Sequence, residues 1–203
     1  VIDGSTSKSN LTFAGISSGQ FASEIVKNIV LKSPGELSGP ELVDHISSQF
    51  NQRLIDDGYE EVLSDTPEAR PSCVFVLAQI LEDMVKITQL GDVSLRINGE
   101  GLYTNPKEID VKNSTLRQEV IENLKRDDPN ISVDDLLKKG REAIIPMLKR
   151  HVAEFQNNPD HPLGYGALDG RKVPEKFVRT FVFQRDEVKT LEIITDGYFK
   201  EAE

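Results

Sequence analysis

Two aspartates far apart in the chain end the same kind of segment. The chain opens Val1-Ile2-Asp3-Gly4, and near its end runs Ile193-Ile194-Thr195-Asp196-Gly197. An apolar run that stops on Asp-Gly reads as a buried strand delivering a carboxylate to the end of a sheet. The glycine lets the backbone turn at once and leaves space for another group to approach. A third apolar run stops at Leu90 and is followed by Gly91-Asp92. Carboxylates from strands distant in sequence can converge on one cation, and hard oxygen donors of this kind suit Mg²⁺ or Mn²⁺ rather than zinc. Asp-Gly is also a common turn dipeptide, so the weight lies in the three runs together.

Composition narrows the partners. The 203 residues suit a single domain, 1–203, with a substantial core. The net charge of −10, from 34 acidic and 24 basic residues, argues against nucleic acid or an anionic membrane. It leaves room for a phosphorylated substrate if a cation stands between phosphate and carboxylates. The single cysteine, Cys73, lies in an apolar run and reads as a buried core thiol in a reducing, cytoplasmic setting. No stretch has the pattern of a signal peptide or a spanning helix. Opening on Val1 in mid-strand and closing on Glu201-Ala202-Glu203, the chain reads as trimmed at both ends.

The elements that must position these aspartates follow from periodicity. Ser17 caps a helix whose Phe21, Ala22, Ile25, Val26, Ile29 and Val30 form a broad apolar stripe. Ser38-Gly39-Pro40-Glu41 starts a second, with Leu42, Val43, Ile46, Phe50 and Leu54 inward and His45 beside that face. Asp56 to Pro71 reads as a loop. The continuous run Ser72–Ile80 is a central strand, Met84–Leu90 the next, and Val93–Ile97 another. Asn98-Gly99 is a strong hairpin turn to a return strand, Glu100–Thr104. A helical insertion, about 113–156, begins at the cap Ser114-Thr115; its second helix is capped by Ser132 and kinked or split by Pro146. His151 reads as a surface residue there, and His161 lies in the loop beyond. Phe177–Phe183 and Val188–Thr195 close the chain as a hairpin about Arg185-Asp186-Glu187. Strand, two helices, meander, helices and hairpin together predict an α+β fold, a four-layer αββα sandwich of two antiparallel sheets.

The order of these motifs resembles the metal-dependent protein phosphatases of type 2C. The resemblance spans nearly the whole chain: apolar-Asp3-Gly4, a helix after a polar loop, Leu90-Gly91-Asp92 before a strand and an Asn-Gly turn, then Ile194-Thr195-Asp196-Gly197. It implies that family's αββα sandwich, with two core Mg²⁺ or Mn²⁺ ions held by Asp3, the Gly4 carbonyl and Asp196. Asp92 falls where the family holds a third, looser ion. The implied activity is removal of phosphate from Ser and Thr of a phosphorylated protein, with metal-bound water as nucleophile and no catalytic side chain. Such chemistry agrees with the residues, because two divalent ions can neutralise phosphate oxygens and lower the pKa of a bridging water.

The departures are specific. The family usually places a histidine after Asp-Gly as general acid; here Ser5 and Thr6 follow, and neither hydroxyl is acidic enough to replace it. The phosphate-binding Arg and acidic pair before the first Asp-Gly, and the last metal-binding Asp, would fall outside this sequence. Divergent bacterial members are the better match. One alternative is a sandwich of this fold that has lost catalysis and serves as a binding or regulatory module. A haloacid-dehalogenase-type phosphatase would need a nucleophilic Asp at the place of Val1, and its parallel sheet disagrees with the meander. An N-terminal-nucleophile hydrolase would have to begin on Thr, Ser or Cys.

Overall fold

The structure, a computed structural model, describes residues 1–9 and 11–195. Among these residues, seven strands form two antiparallel sheets. In chain order they are β1 (Ile2–Gly4), β2 (Cys73–Ile80), β3 (Met84–Leu90), β4 (Ser94–Ile97), β5 (Glu100–Tyr103), β6 (Val178–Gln184) and β7 (Leu191–Ile194). The first sheet has the order β1-β2-β3-β6 and the second β5-β4-β7. The helices are α1 (Ser18–Val30), α2 (Gly39–Asp56), α3 (Glu60–Asp65), α4 (Glu108–Asp127) and α5 (Val133–Glu154). The expected α+β sandwich of two antiparallel sheets is what the chain forms.

Strand β2 explains the arrangement. Over Cys73–Val76 its side chains alternate between two buried faces, so its sequence there is apolar without a break, in a run that ends at Gln79. Cys73 and Phe75 join α1 and α2 in one core with Phe21, Val26, Leu42, Ile46 and Phe50. Val74 and Val76 face the second sheet, in a core with Val85, Ile87, Leu95 and Ile97. Helix α1 starts where Ser17 Oγ accepts the Gln20 N–H at 3.3 Å. Helix α2 is tied to the sheet at its first residue, because the Gly39 N–H donates to buried Thr88 Oγ1 at 2.8 Å.

Several expectations are corrected. The meander is not one sheet: β2 and β3 pair in the first sheet, and the chain crosses to the second at Gly91-Asp92. Likewise β6 and β7 are not a hairpin, since β6 pairs with β3 and β7 with β4. The segment Arg185–Glu187 is a 3-10 turn at that change of sheet. The stretch 56–71 holds α3 and a 3-10 turn (Pro67–Ala69), seated by the buried Leu63. Helix α4 begins at Glu108, six residues before the expected cap. Glu108 and Asp110 favour a helix start in its first turn, and the Thr115 hydroxyl donates back to the Val111 carbonyl at 3.1 Å, which suits a helix interior. Pro146 does not split α5.

Helices α4 and α5 pack on each other; α5 also packs on the Pro67–Ala69 turn. At their crossing a Cβ on Gly140 would stand 3.0 Å from Ile121 Cγ1. No helix among the described residues is long and apolar enough to cross a membrane.

Candidate functional site

Asp3 reaches the site by register. It pairs with Val74 across β1 and β2, and directly opposite residues of an antiparallel pair share a face. Its carboxylate therefore lies on the side of the first sheet that turns toward the second, at the end of that layer. Gly4 serves a different purpose from the expected turn. Its φ is not positive, but a Cβ there would stand 2.3 Å from the Gly19 carbonyl oxygen. Glycine is what lets the start of α1 close on β1. Gly91 does turn, with φ +82°, and a Cβ on it would meet Val74 Cγ1 at 2.1 Å. That turn leaves the first sheet and brings Asp92 beside Val74. It is held by Asn105 Nδ2, which donates to the Gly91 carbonyl at 3.2 Å, and by buried Gln89, whose amide donates to the Val93 carbonyl at 2.6 Å.

Asp3, Gly4 and Asp92 line one open cleft of about 280 Å³, with Ser5, Thr6 and Val74. Three of the four residues expected at the site are thus brought together; Asp196 lies outside the described residues.

Three cations share the cleft, and sequence reasoning missed all of them: Lys8 from the loop after β1, Lys107 just ahead of α4, and Arg141 from α5. Nothing in their spacing marks them, because each comes from a different element and reaches the cleft through tertiary packing. Lys107 Nζ is 2.8 Å from Asp92 Oδ2 and 3.9 Å from Asp110 Oδ2, and it stands 5.5 Å from the centre of the Tyr165 ring. Arg141 Nη2 donates to the Ser7 carbonyl at 3.4 Å, joining α5 to the loop that carries Lys8. Burial pushes the Lys8 ammonium down to about 8, helped by the nearby charges of Lys107 and Arg141 and opposed by Asp110. Two carboxylates and three cations therefore line one cleft, with Asp92 paired to Lys107.

A smaller cavity of about 80 Å³ lies behind the cleft and shares Ser5, Lys8, Val74, Lys107 and Leu148 with it. His151 and Asn113 also line it. His151, expected on the surface, is only 6 % exposed. It stacks on Phe155 at 4.9 Å, which stacks on His161 at 3.9 Å. Its Nδ1 and Asn113 Oδ1 have no hydrogen-bond partner among the described residues. Desolvation, with Arg150 and Lys8 nearby, lowers the His151 pKa against the opposing pull of Glu154. The Cys73 thiol is buried and its pKa is driven far up by desolvation, so it is the inert core thiol expected.

A further apolar run ends on Asp-Gly, at Leu168-Asp169-Gly170, and the structure uses it quite differently. Asp169 is fully buried and accepts hydrogen bonds from Arg171 Nη2 at 2.6 Å, Arg171 Nε at 2.8 Å and Gln156 Nε2 at 2.6 Å. It knits the loop after α5 to the sheet and stays out of the cleft. The motif alone therefore does not bring an aspartate to the cleft.

The donors on the cleft wall fit a hard divalent ion in kind: carboxylate and carbonyl oxygens, with neither His nor Cys among them. Among the described residues no group of three or more His, Cys, Asp and Glu is gathered to hold a metal. No protein-family model matches the chain, and no curated protein matches it. Among solved structures it is similar to one described as a bacterial serine phosphatase, at 13% identity and a TM-score of 0.45, over 98% of this chain and 74% of that one. At that distance the likeness has no bearing on the chemistry of the cleft.

Proposed function

We propose that the protein is a Mg²⁺- or Mn²⁺-dependent phosphomonoester hydrolase acting on phosphoserine or phosphothreonine of proteins. The observation that carries this reading is the mixed cleft, in which Asp3 and Asp92 face the same space as Lys8, Lys107 and Arg141. A purely acidic site would suit a metal alone, and a purely basic one an anion alone. Phosphate bound with a divalent ion needs both. Asp3 and the Gly4 carbonyl would hold the metal, together with Asp196. The ion, when bound, supplies charge neutralisation and a water of lowered pKa.

The chain's own residues do the rest. Arg141 and Lys8 bind phosphoryl oxygens, the guanidinium offering a planar fork and the ammonium a point charge. Ser5 and Thr6 present hydroxyls to the same oxygens. Lys8 keeps its charge only below about pH 8, so affinity for the anion falls as pH rises through that value. The protein's hydrolysis of p-nitrophenyl phosphate and of phosphoserine peptides is expected to require Mn²⁺ or Mg²⁺ and to drop by more than about 100-fold in Asp3→Asn and in Asp196→Asn. Turnover that survives chelation, or either variant retaining full activity, removes the reading. The three cations also favour a second one, a catalytically inactive module that binds phosphorylated proteins. It predicts phosphopeptide binding without turnover and without any need for metal.

A further inference from the structure

We propose that the small cavity behind the cleft is a binding site for a monovalent oxyanion that keeps a proton of its own, held by Lys8, Asn113 and His151, and that hydrogen carbonate is the ion it takes. The proposal does not depend on what the cleft itself does.

The cavity measures about 80 Å³, room for roughly two or three waters or one small ion. Val74, Ile109 and Leu148 give it aliphatic walls, which strengthen any polar contact made inside. Gln156 and Tyr165 also line it, but their polar ends are already served. Tyr165 Oη donates to Gln156 Oε1 at 3.3 Å, and Gln156 Nε2 donates to Asp169 Oδ2 at 2.6 Å. Asn113 and His151 differ. They are 9% and 6% exposed, and Asn113 Oδ1 and His151 Nδ1 have no hydrogen-bond partner among the described residues. Buried polar atoms are seldom left so, and two around one small cavity point to a polar guest.

Lys8 sets the charge of that guest. It lines the cavity as well as the cleft. Its ammonium is desolvated, and the positive charges of Lys107 and Arg141 weigh on it more than the negative charge of Asp110. Lys107 itself is taken up by Asp92 at 2.8 Å and Asp110 at 3.9 Å. An anion beside Lys8 is therefore favoured, and one answering ammonium suits a single charge. Water would pair with Asn113 and His151 but leave that charge unanswered. Asn113 Oδ1 adds a condition, since an amide oxygen only accepts and needs a hydrogen from the guest. Formate and nitrate carry none. Hydrogen carbonate does, and its other oxygens accept from Lys8 and from the His151 ring N–H.

The test is NMR of the protein labelled at its histidine rings, titrated at constant pH and ionic strength with sodium hydrogen carbonate, formate and nitrate. The His151 signal, assigned by its loss in His151→Gln, is expected to shift saturably with hydrogen carbonate. Formate and nitrate are expected to bind about 10-fold more weakly or worse, because each leaves Asn113 Oδ1 unpaired. Asn113→Leu is expected to weaken hydrogen carbonate by a similar factor, about 10-fold. Arg141→Ala, at a residue that lines the cleft but not the cavity, is expected to weaken it far less. No saturable shift means that the cavity takes water only, and overturns the proposal. Formate binding as tightly overturns it too, as does binding that is lost in Arg141→Ala and kept in Asn113→Leu, which would put the ion in the cleft. Should Asn113→Leu not fold, the comparison of hydrogen carbonate with formate on the parent decides.

Discussion

The α1–α2 layer and the α4–α5 pair are both helical, yet they are built on opposite terms. Helices α1 and α2 lay Phe21, Ala22, Val26, Leu42, Ile46 and Phe50 onto the first sheet, all buried in one apolar core. Helix α4 buries only Ile109 and Asn113, and α5 buries His151 among a few aliphatic residues. Leu116 and Leu137 stay exposed. The interior that α4 and α5 share with the sheet is partly polar, with His151 and Asn113 on the wall of a small cavity. The first region spends its sequence on packing. The second gives up packing to bring Arg141 to the cleft and to start from Lys107 at its rim. That trade is what places cations where the sheet supplies carboxylates.

Two glycines sharpen the contrast most. At Gly91 an added Cβ would strike Val74 at 2.1 Å on a backbone with φ +82°. Strain and overpacking together are expected to cost Gly91→Ala about 3 kcal/mol or more. Gly140 lies inside α5, and its added Cβ would stand 3.0 Å from Ile121 Cγ1 and 3.4 Å from its terminal Cδ1, in a side chain that can shift. There the gain in helix propensity, up to about 1 kcal/mol, offsets the crowding, and Gly140→Ala is expected to fall within about 1 kcal/mol of the parent. Denaturant titrations of both variants check this. Equal losses would mean that the α4–α5 pair is as tightly specified as the sheets.

What could be read from sequence divides along the same line. The stripes of α1 and α2, the unbroken run of β2 and the Asn98-Gly99 turn, with φ +55° and +73°, report strong local rules, and the sequence predicts each of them. The strand ends at Asp3-Gly4 and at Leu90 were legible because a strand end is a local event. The change of sheet at Gly91 was not, since nothing local says which partner β4 will find. Helix α4 was misplaced because Ser114-Thr115 has the chemistry of a cap, whereas Lys107-Glu108 lacks it. Lys8, Lys107 and Arg141 were invisible, as surface-type residues drawn together only by tertiary contacts. Asp169 shows that an Asp-Gly pair by itself says little, since this one follows a glycine-rich stretch and ends up in a buried network.

If the α4–α5 pair exists to place charge, removing the charge should hurt binding and spare the fold. Arg141→Ala is expected to raise the inhibition constant of orthophosphate and the KM for a phosphopeptide by about 10- to 100-fold, the worth of one charge-assisted contact. Its midpoint of unfolding should stay near the parent's, because the 3.4 Å contact with the Ser7 carbonyl is a long one. Unchanged binding with lowered stability would make Arg141 a strut and break the comparison.

The smallest effect tests whether the polar interior of the second region is a weakness. Burial lowers the His151 pKa, with the nearby charges of Arg150 and Lys8 adding to it and Glu154 opposing them. Its folded pKa is therefore below the unfolded value of about 6.5. Between the two values the unfolded chain binds more protons, so stability rises with pH. The full contribution is present above about 6.5 and is lost as pH falls from there through the folded value. Denaturation at about pH 5.5 and pH 7.5 should show a decline on acidification that shrinks in His151→Gln. Amide exchange should quicken in α4 and α5 before α1 and α2, because charging His151 strains only the region whose packing it interrupts. An identical acid decline in the variant, or exchange that quickens everywhere together, would tie the two regions into one cooperative unit and leave the polar cavity without a cost to stability.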